Sequence, residues 1–363
     1  MAGSDPALET IVERVRAAAA SRAPLAVAGG RTKDFYGGTR AGEPLDLRPL
    51  TGISSYEPTE LVVTVRAGTP LAELEAALAE RRQCLPFEPP RFAAGGTVGG
   101  MVAAGLAGPA RASVGGVRDY VLGATMLNGR AEVVSFGGQV MKNVAGYDVS
   151  RLLAGSMGVL GPILEVSLKV MPQPPARATL RFELEQAEAL KRVNAWAGQP
   201  LPLSASAWWS DMLVVRLAGA AAAVESAAAQ LGGERVDPVL ADAFWNGLRD
   251  HTDEFFAGAT KAVAHGATLW RLSVPATAPL LALSGEQLIE WHGAQRWIVT
   301  TASPALLRDA AARAGGHAVA FRGDKAAGAF AALTEPLARI HRELKAAFDP
   351  AGIFNPGRLY PGL

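Results

Sequence analysis

Behind Asp5-Pro6, apolar residues recur at Leu8, Ile11, Val12 and Val15, so the chain opens on an amphipathic helix with Asp5 as N-cap and Pro6 as its first residue. The short apolar run 25–28 reads as a buried strand that ends at Gly29-Gly30-Arg31-Thr32. A second strand is expected over 61–67, and Thr69-Pro70 then starts a helix whose inward face is Leu71, Leu74 and Leu78. Residues 121–136 read as a hairpin, with Asn128-Gly129 as a type I′ turn. Asp148 is placed to cap a short helix through Leu153, closed by Gly155. Strict alternation over 164–170 predicts a half-exposed strand.

Pro172, Pro174 and Pro175 then make a stiff linker. Beyond it, strand-like stretches (LRFEL, SASAWW, LVVRL, TLWRLSV, RWIVTT) alternate with alanine-rich helical ones, the order of an α+β domain with an antiparallel sheet. Residues 336–348 form an amphipathic helix with Leu337, Ile340 and Leu344 on one face, followed by the turn-rich FDPAGIFNPGRLYPG. The expected division is 1–175, then 176–330 as a smaller second domain, with 331–363 returning to the first.

Composition narrows the function. Lys and Arg total 35 against 34 Asp and Glu, a net charge of +1, so no basic field exists to hold a nucleic-acid backbone. Cys84 is the single cysteine, which excludes disulfides within the chain and cysteine-held clusters. The start MAGSDPALETIVE has acids where a signal peptide needs positive charge, and no run of 18 apolar residues occurs. A cytoplasmic protein is expected, docked to a membrane at most through partners.

The 40 glycines are concentrated where they matter. GGTVGG at 95–100 and the segment NVAGYDVSRLLAGSMGVLG let the backbone approach a bound group with N–H donors facing it. The chain has neither G-x-G-x-x-G nor a Gly-Lys pair, so the Rossmann and P-loop schemes do not fit. AVAGGRTKDF, GGTVGGMVAAG, GSMGVLGPILEV and the ending FDPAGIFNPG together resemble flavoproteins of the vanillyl-alcohol oxidase type. That resemblance implies a PCMH-type, two-part FAD-binding domain plus an α+β cap domain with an antiparallel sheet. Within that group the combination is similar to the E-type subunits of bacterial glycolate oxidases. These imply a D-type FAD catalytic subunit and an iron–sulfur F-type subunit as partners, and a 2-hydroxy acid as substrate.

What the resemblance implies for the cofactor is non-covalent FAD, because no histidine precedes His251 and Cys84 lies outside the matching motifs. Gly29, Gly30, Arg31 and Thr32 would take the pyrophosphate, or form an ordinary turn. Gly95, Gly96, Thr97, Gly99 and Gly100 would pass beside the cofactor, with a helix starting at Met101 through Ala103, or pack a core. Gly116, Arg118 and Asp119 would contact the adenosine or pyrophosphate, or hold an ion-paired turn. Gly158, Gly161 and Ile163 would approach the adenine end, or make a helix-to-strand connection; Asn355 and Arg358 would return to the flavin, or close a turn. Lys142, Asn143 and Tyr147 are further candidates for the flavin's reactive side.

The five histidines (His251, His265, His292, His317, His341) include no H-x-H or H-E-x-x-H pair, so no metal site is expected and no general base can be named. Three roles stay open: FAD subunit of a glycolate-oxidising complex, non-catalytic electron relay or scaffold, and independent dehydrogenase of D-lactate or a similar acid.

Overall fold

The computed structural model describes residues 5–138 and 148–363. The opening helix is Pro6–Ser21, with the Asp5 carboxylate accepting from the Ala7 and Leu8 amides. Its buried Ile11, Val15 and Ala18 pack on Leu25, Leu45, Leu47, Ile353 and Phe354. Strand Leu25–Ala28 runs parallel to Glu43–Asp46, and a further bridge joins Leu25 to Phe354, so the two ends of the chain share one cluster.

A five-stranded antiparallel sheet follows, in the order Ile53–Glu57, Val62–Arg66, Ile163–Lys169, Val121–Leu127, Val133–Gly137. Helices Leu71–Glu80 and Val98–Ala104 cover one face through Leu71, Leu74, Leu78, Met101 and Val102. Ile163–Lys169 lies mid-sheet, so it is more buried than its alternation suggests. Leu164 faces the cluster of the opening helix, and the Ser167 hydroxyl lies 2.9 Å from that of Thr64.

The hairpin also differs from expectation. Leu127 pairs with Val133, which leaves five loop residues instead of two. The turn is closed by Ala131 N–H donating to Asn128 O, with Ala131 in the left-handed region and the Asn128 side chain accepting from two loop amides. Gly129 serves a tertiary contact: its amide donates to Phe348 O, and a Cβ there would lie 2.7 Å from the Asp349 carboxylate.

Residues from Ala176 onward form an eight-stranded antiparallel sheet. Its order is Glu234–Arg235, Ala176–Glu183, Met212–Gly219, Leu203–Trp209, Glu286–Glu290, Gln295–Thr300, Thr268–Ser273, His317–Arg322. His317–Arg322 escaped the sequence reading because its alanines look helical. In the sheet, Ala318 and Ala320 are small enough to let Leu307 and Ala311 of the Pro304–Arg313 helix pack closely. Phe321, Val319, Leu269 and Trp297 pack with Tyr36, Leu106 and Met157, so one apolar cluster joins this sheet to the glycine loops.

The C-terminal helix, Glu335–Phe348, docks mainly by its last turn, with His341 edge-on to Tyr360. Leu344 and Phe348 pack on the first core, whereas Leu337 and Ile340 remain 48% and 47% exposed. Its buried residue is Lys345, whose ammonium donates to Asp349 Oδ2, Val159 O and Phe354 O, each at 2.7 Å.

Candidate functional site

Where strand Leu25–Ala28 ends, the Gly29–Thr32 loop lies directly against residues 95–97. A Cβ on Gly30 would stand 2.5 Å from the Gly95 carbonyl carbon, and one on Gly96 would stand 3.3 Å from Thr32 Oγ1. Only glycine allows the two main chains to come this close. The N–H groups of Gly29, Gly30, Arg31, Thr32, Gly95 and Gly96 donate to no other described residue. Residues 29–32 line the cleft, so four of these free donors border one concavity, as an anion nest requires.

The neighbouring helix starts at Val98, three residues before its expected start, because Thr97 is its N-cap: Thr97 Oγ1 accepts from Gly100 N at 3.2 Å. That leaves the Thr97 hydroxyl proton free to donate outward. The glycines divide in role. Gly99 donates to Ala67 O, and a Cβ on it would lie 2.6 Å from Ala67 Cβ, so it is there for helix–strand packing. Gly100 would meet only Thr97 Oγ1, at 3.1 Å, and with Ala103 it lines the cleft.

The other wall is built by Gly158, Gly161 and Ile163 together with Val27 and Asn355. Asn355 is buried and in the left-handed region; its Oδ1 accepts from Val27 N at 2.8 Å and its Nδ2 donates to Met157 O at 2.6 Å. It thus ties the C-terminal turn, the first strand and the 155–161 loop into one wall. Arg358 acts on the carbonyls of Asp34, Tyr36 and Gly38, so it shapes the loop and does not enter the cleft as a free cation.

Three other candidates lie elsewhere. Gly116, Arg118 and Asp119 do not line the cleft: the Asp119 carboxylate accepts from Gly116 N at 2.8 Å, a turn held by a hydrogen bond and not by an ion pair. The Arg31 guanidinium bonds Asp34 at 2.8 Å, and Asp34 also holds Arg40. Lys142, Asn143 and Tyr147 fall outside the described residues.

Sequence reasoning missed a group of cations between the cleft and the larger sheet. Lys33 lines the cleft with its ammonium 5.7 Å from the Phe92 ring centre. Arg322 stacks on Phe35 at 3.5 Å, Arg271 donates to the Tyr36 hydroxyl at 3.0 Å, and Arg111 stacks on Trp291 at 4.6 Å. Lys325 donates to the Phe35 and Gly37 carbonyls. None of these five forms an ion pair with a described carboxylate. Burial lowers the Lys33 ammonium to about 8, against the pull of Asp250, and brings Lys325 to about 8 as well, helped by Arg358 and Arg322.

Beside them sits a small chamber lined by Phe92, His251, Arg271, Glu290, Gln295 and Trp297. Burial, and then the charges of Arg322 and Arg271, drive the His251 imidazole well below its usual range, so it is neutral at pH 7. His251 Nδ1 and Arg271 Nε are enclosed without hydrogen-bond partners. Glu290 is pushed up to about 7 by burial, although Trp297 and Gln295 both donate to it.

His292 is different: Ser113 and Ser206 engage its two ring nitrogens at 3.1 and 3.0 Å, so it joins the 108–113 segment to the larger sheet. Burial brings it down to about 4. A roomier cavity of about 780 Å³, lined by Cys84, Tyr120, Arg177 and Trp245, holds none of the expected cofactor residues. Cys84 is half-buried there, less enclosed than a core thiol. No cluster of three metal-ligating side chains occurs among the described residues.

The site fits an FAD pyrophosphate on three observations: free amides of residues 29–32 lining the cleft, a backbone approach that a Cβ would block, and a half-buried Lys33 ammonium with no carboxylate paired to it. Comparison with known proteins agrees. Residues 7–137 match the FAD binding domain family, and 324–359 match the C-terminal domain of FAD linked oxidases. The chain is 46% identical over 356 residues to glycolate oxidase subunit GlcE of Escherichia coli, covering 98% of both proteins. It is 30% identical over 208 residues to a D-2-hydroxyglutarate dehydrogenase of Xanthomonas citri pv. viticola, covering 56% of this chain and 43% of that protein. To glycolate oxidase subunit GlcD of Bacillus subtilis it is 29% identical over 171 residues, or 46% of this chain and 36% of the relative. Alkyldihydroxyacetonephosphate synthase shares the fold, with TM-score 0.65 and 14% identity over 96% of this chain and 74% of its own. With near-complete coverage at that identity, and with FAD as the cofactor of the matched domain, the chain belongs to the glycolate oxidase subunit GlcE family of FAD-linked oxidoreductases.

Proposed function

We propose that this chain is the FAD-carrying subunit of a heteromeric dehydrogenase that oxidises glycolate to glyoxylate. Its partners would be a D-type flavoprotein subunit and an iron–sulfur subunit that takes the electrons onward. The observation that carries the reading is the glycine cleft, with its free amides and its C-terminal tie through Asn355. Its binding residues would be Gly29, Gly30, Thr32, Thr97, Gly100, Ala103, Gly158, Gly161 and Ile163, with Gly95, Gly96 and Gly99 setting the close packing.

FAD, when bound, supplies the acceptor for the hydride leaving the substrate Cα. This chain's own residues would do the rest. Arg271, Arg111 and Arg322 present positive charge to a carboxylate with no acid competing for them. His251, with Nδ1 unpartnered in the chamber it shares with Arg271, would be the candidate acceptor of the hydroxyl proton, against the burial and the two arginine charges that disfavour its charged form. The residue division 1–175, 176–330 and 331–363 is proposed on the same basis, one sheet carrying each of the first two parts.

The test is the visible spectrum of the chain purified alone, before and after anaerobic glycolate. Bound FAD that bleaches makes this subunit a catalyst in its own right. Bound FAD indifferent to glycolate assigns the chemistry to the D-type partner and leaves this chain a relay. Absence of flavin after reconstitution refutes the proposal.

A further inference from the structure

Withdrawing an ammonium from water with no carboxylate paired to it is costly, and an anion seated beside it removes that cost. Lys33 is in this position. It follows Thr32 in the first glycine loop, its Nζ is 3.5 Å from Thr32 Oγ1, and a Cβ on Gly96 would lie 3.9 Å from it. It therefore reaches the point where the two loops meet, on the cleft that residues 29–32 line. The acids around it are occupied. Asp250, at the end of the Pro238–Asp250 helix, is paired with Arg249 at 2.7 Å and accepts from Arg91 N; Asp34 holds Arg31 and Arg40. The Phe92 ring carries Lys33 on one approach and Arg322 on another, with His251 edge-on at 4.9 Å.

Resting on the FAD reading above, we propose that Lys33 is a cofactor-binding residue whose ammonium neutralises the FAD pyrophosphate. Cofactor binding then draws a proton onto Lys33. With the free amine near 8, only about half of it is charged at pH 8, and an adjacent diphosphate restores full protonation. Lys325 has a similar value but spends its ammonium on two carbonyls of the 35–37 segment, so its proton count should not change.

The experiment is calorimetric titration of the FAD-free full chain at pH 8 with FAD and separately with ADP, in buffers of different ionisation enthalpy. The expected result is uptake of about half a proton with either ligand. Lys33→Met should bind FAD at least about tenfold more weakly, with uptake near zero. Lys33→Arg should keep most of the affinity and lose the uptake, because a guanidinium does not titrate in this range. Lys325→Met should leave the uptake intact. Unchanged affinity and uptake in Lys33→Met overturns the proposal while FAD binding stands, as does uptake with FAD but none with ADP. Failure of the wild-type chain to bind FAD overturns both readings.

Discussion

Gly30→Ala adds one methyl group at the tightest meeting of the two glycine loops. The new Cβ would lie 2.5 Å from the Gly95 carbonyl carbon and 3.1 Å from the Gly96 nitrogen, and both are main chain, so no side chain can swing aside. The new Cβ would overlap the Gly95 carbonyl oxygen outright, and ordinary carbon–oxygen contact begins at about 3.2 Å, so the loops must part by about 1.5 Å. Overpacking of this kind costs about 1–3 kcal/mol, and here it falls on the geometry that converges the amides. Expressed in binding, that is a loss of about five- to 150-fold in FAD affinity. Gly258→Ala is the control outside the cleft: in the helix Glu254–Ala264 its Cβ would meet nothing within 4 Å, so FAD affinity should be unchanged. Quenching of flavin fluorescence on binding to each apoprotein measures both constants, and urea unfolding of the apoproteins separates loop distortion from lost folding. Gly30→Ala binding FAD as tightly as wild type would refute the account of the loops.

Asn355→Asp keeps the acceptor for Val27 N but replaces the donor to Met157 O with a charged oxygen facing a carbonyl, and should lose about 2–3 kcal/mol of stability together with FAD retention; chemical denaturation and the ratio of flavin to protein absorbance check it. Lys345→Met strips the buried Asp349 carboxylate of its cation and leaves two carbonyls without a donor, so unfolding in urea should show a loss of about 3–5 kcal/mol. His292 is held near 4 when folded against an ordinary 6.5, so the unfolded chain takes up the proton first as pH falls. The wild-type protein should therefore lose stability between pH 6.5 and 4 by about 3 kcal/mol more than His292→Gln does, and equal slopes for the two in pH-dependent urea unfolding would remove His292 from the explanation.

The glycine cleft was legible because its parts are local: a strand that stops at Gly29-Gly30, a GGTVGG run, and an ending whose Asn-Pro-Gly has to go somewhere. Each is a short word with its own backbone consequence, and the fold brings the words together. The cationic junction was not legible, because no local pattern marks it. Lys33, Arg111, Arg271 and Arg322 are ordinary charges in the chain, spread over nearly 300 residues, and only the packing of Phe321 and Trp297 against Tyr36 and Leu106 makes them neighbours. The same distinction explains the misread hairpin. Asn128-Gly129 has the composition of a two-residue turn, yet that glycine answers to Phe348 and Asp349, more than 200 positions away. The exposed Leu337 and Ile340 follow as well: periodicity shows that a helix has an apolar side, but how much of it docks depends on where Lys345 finds its three oxygens. A charge without a partner is therefore the more informative signal in this chain. It becomes visible only when the whole neighbourhood is known, because what marks it is that the acids around Lys33 already hold other cations: Asp34 pairs with Arg31 and Arg40, and Asp250 with Arg249.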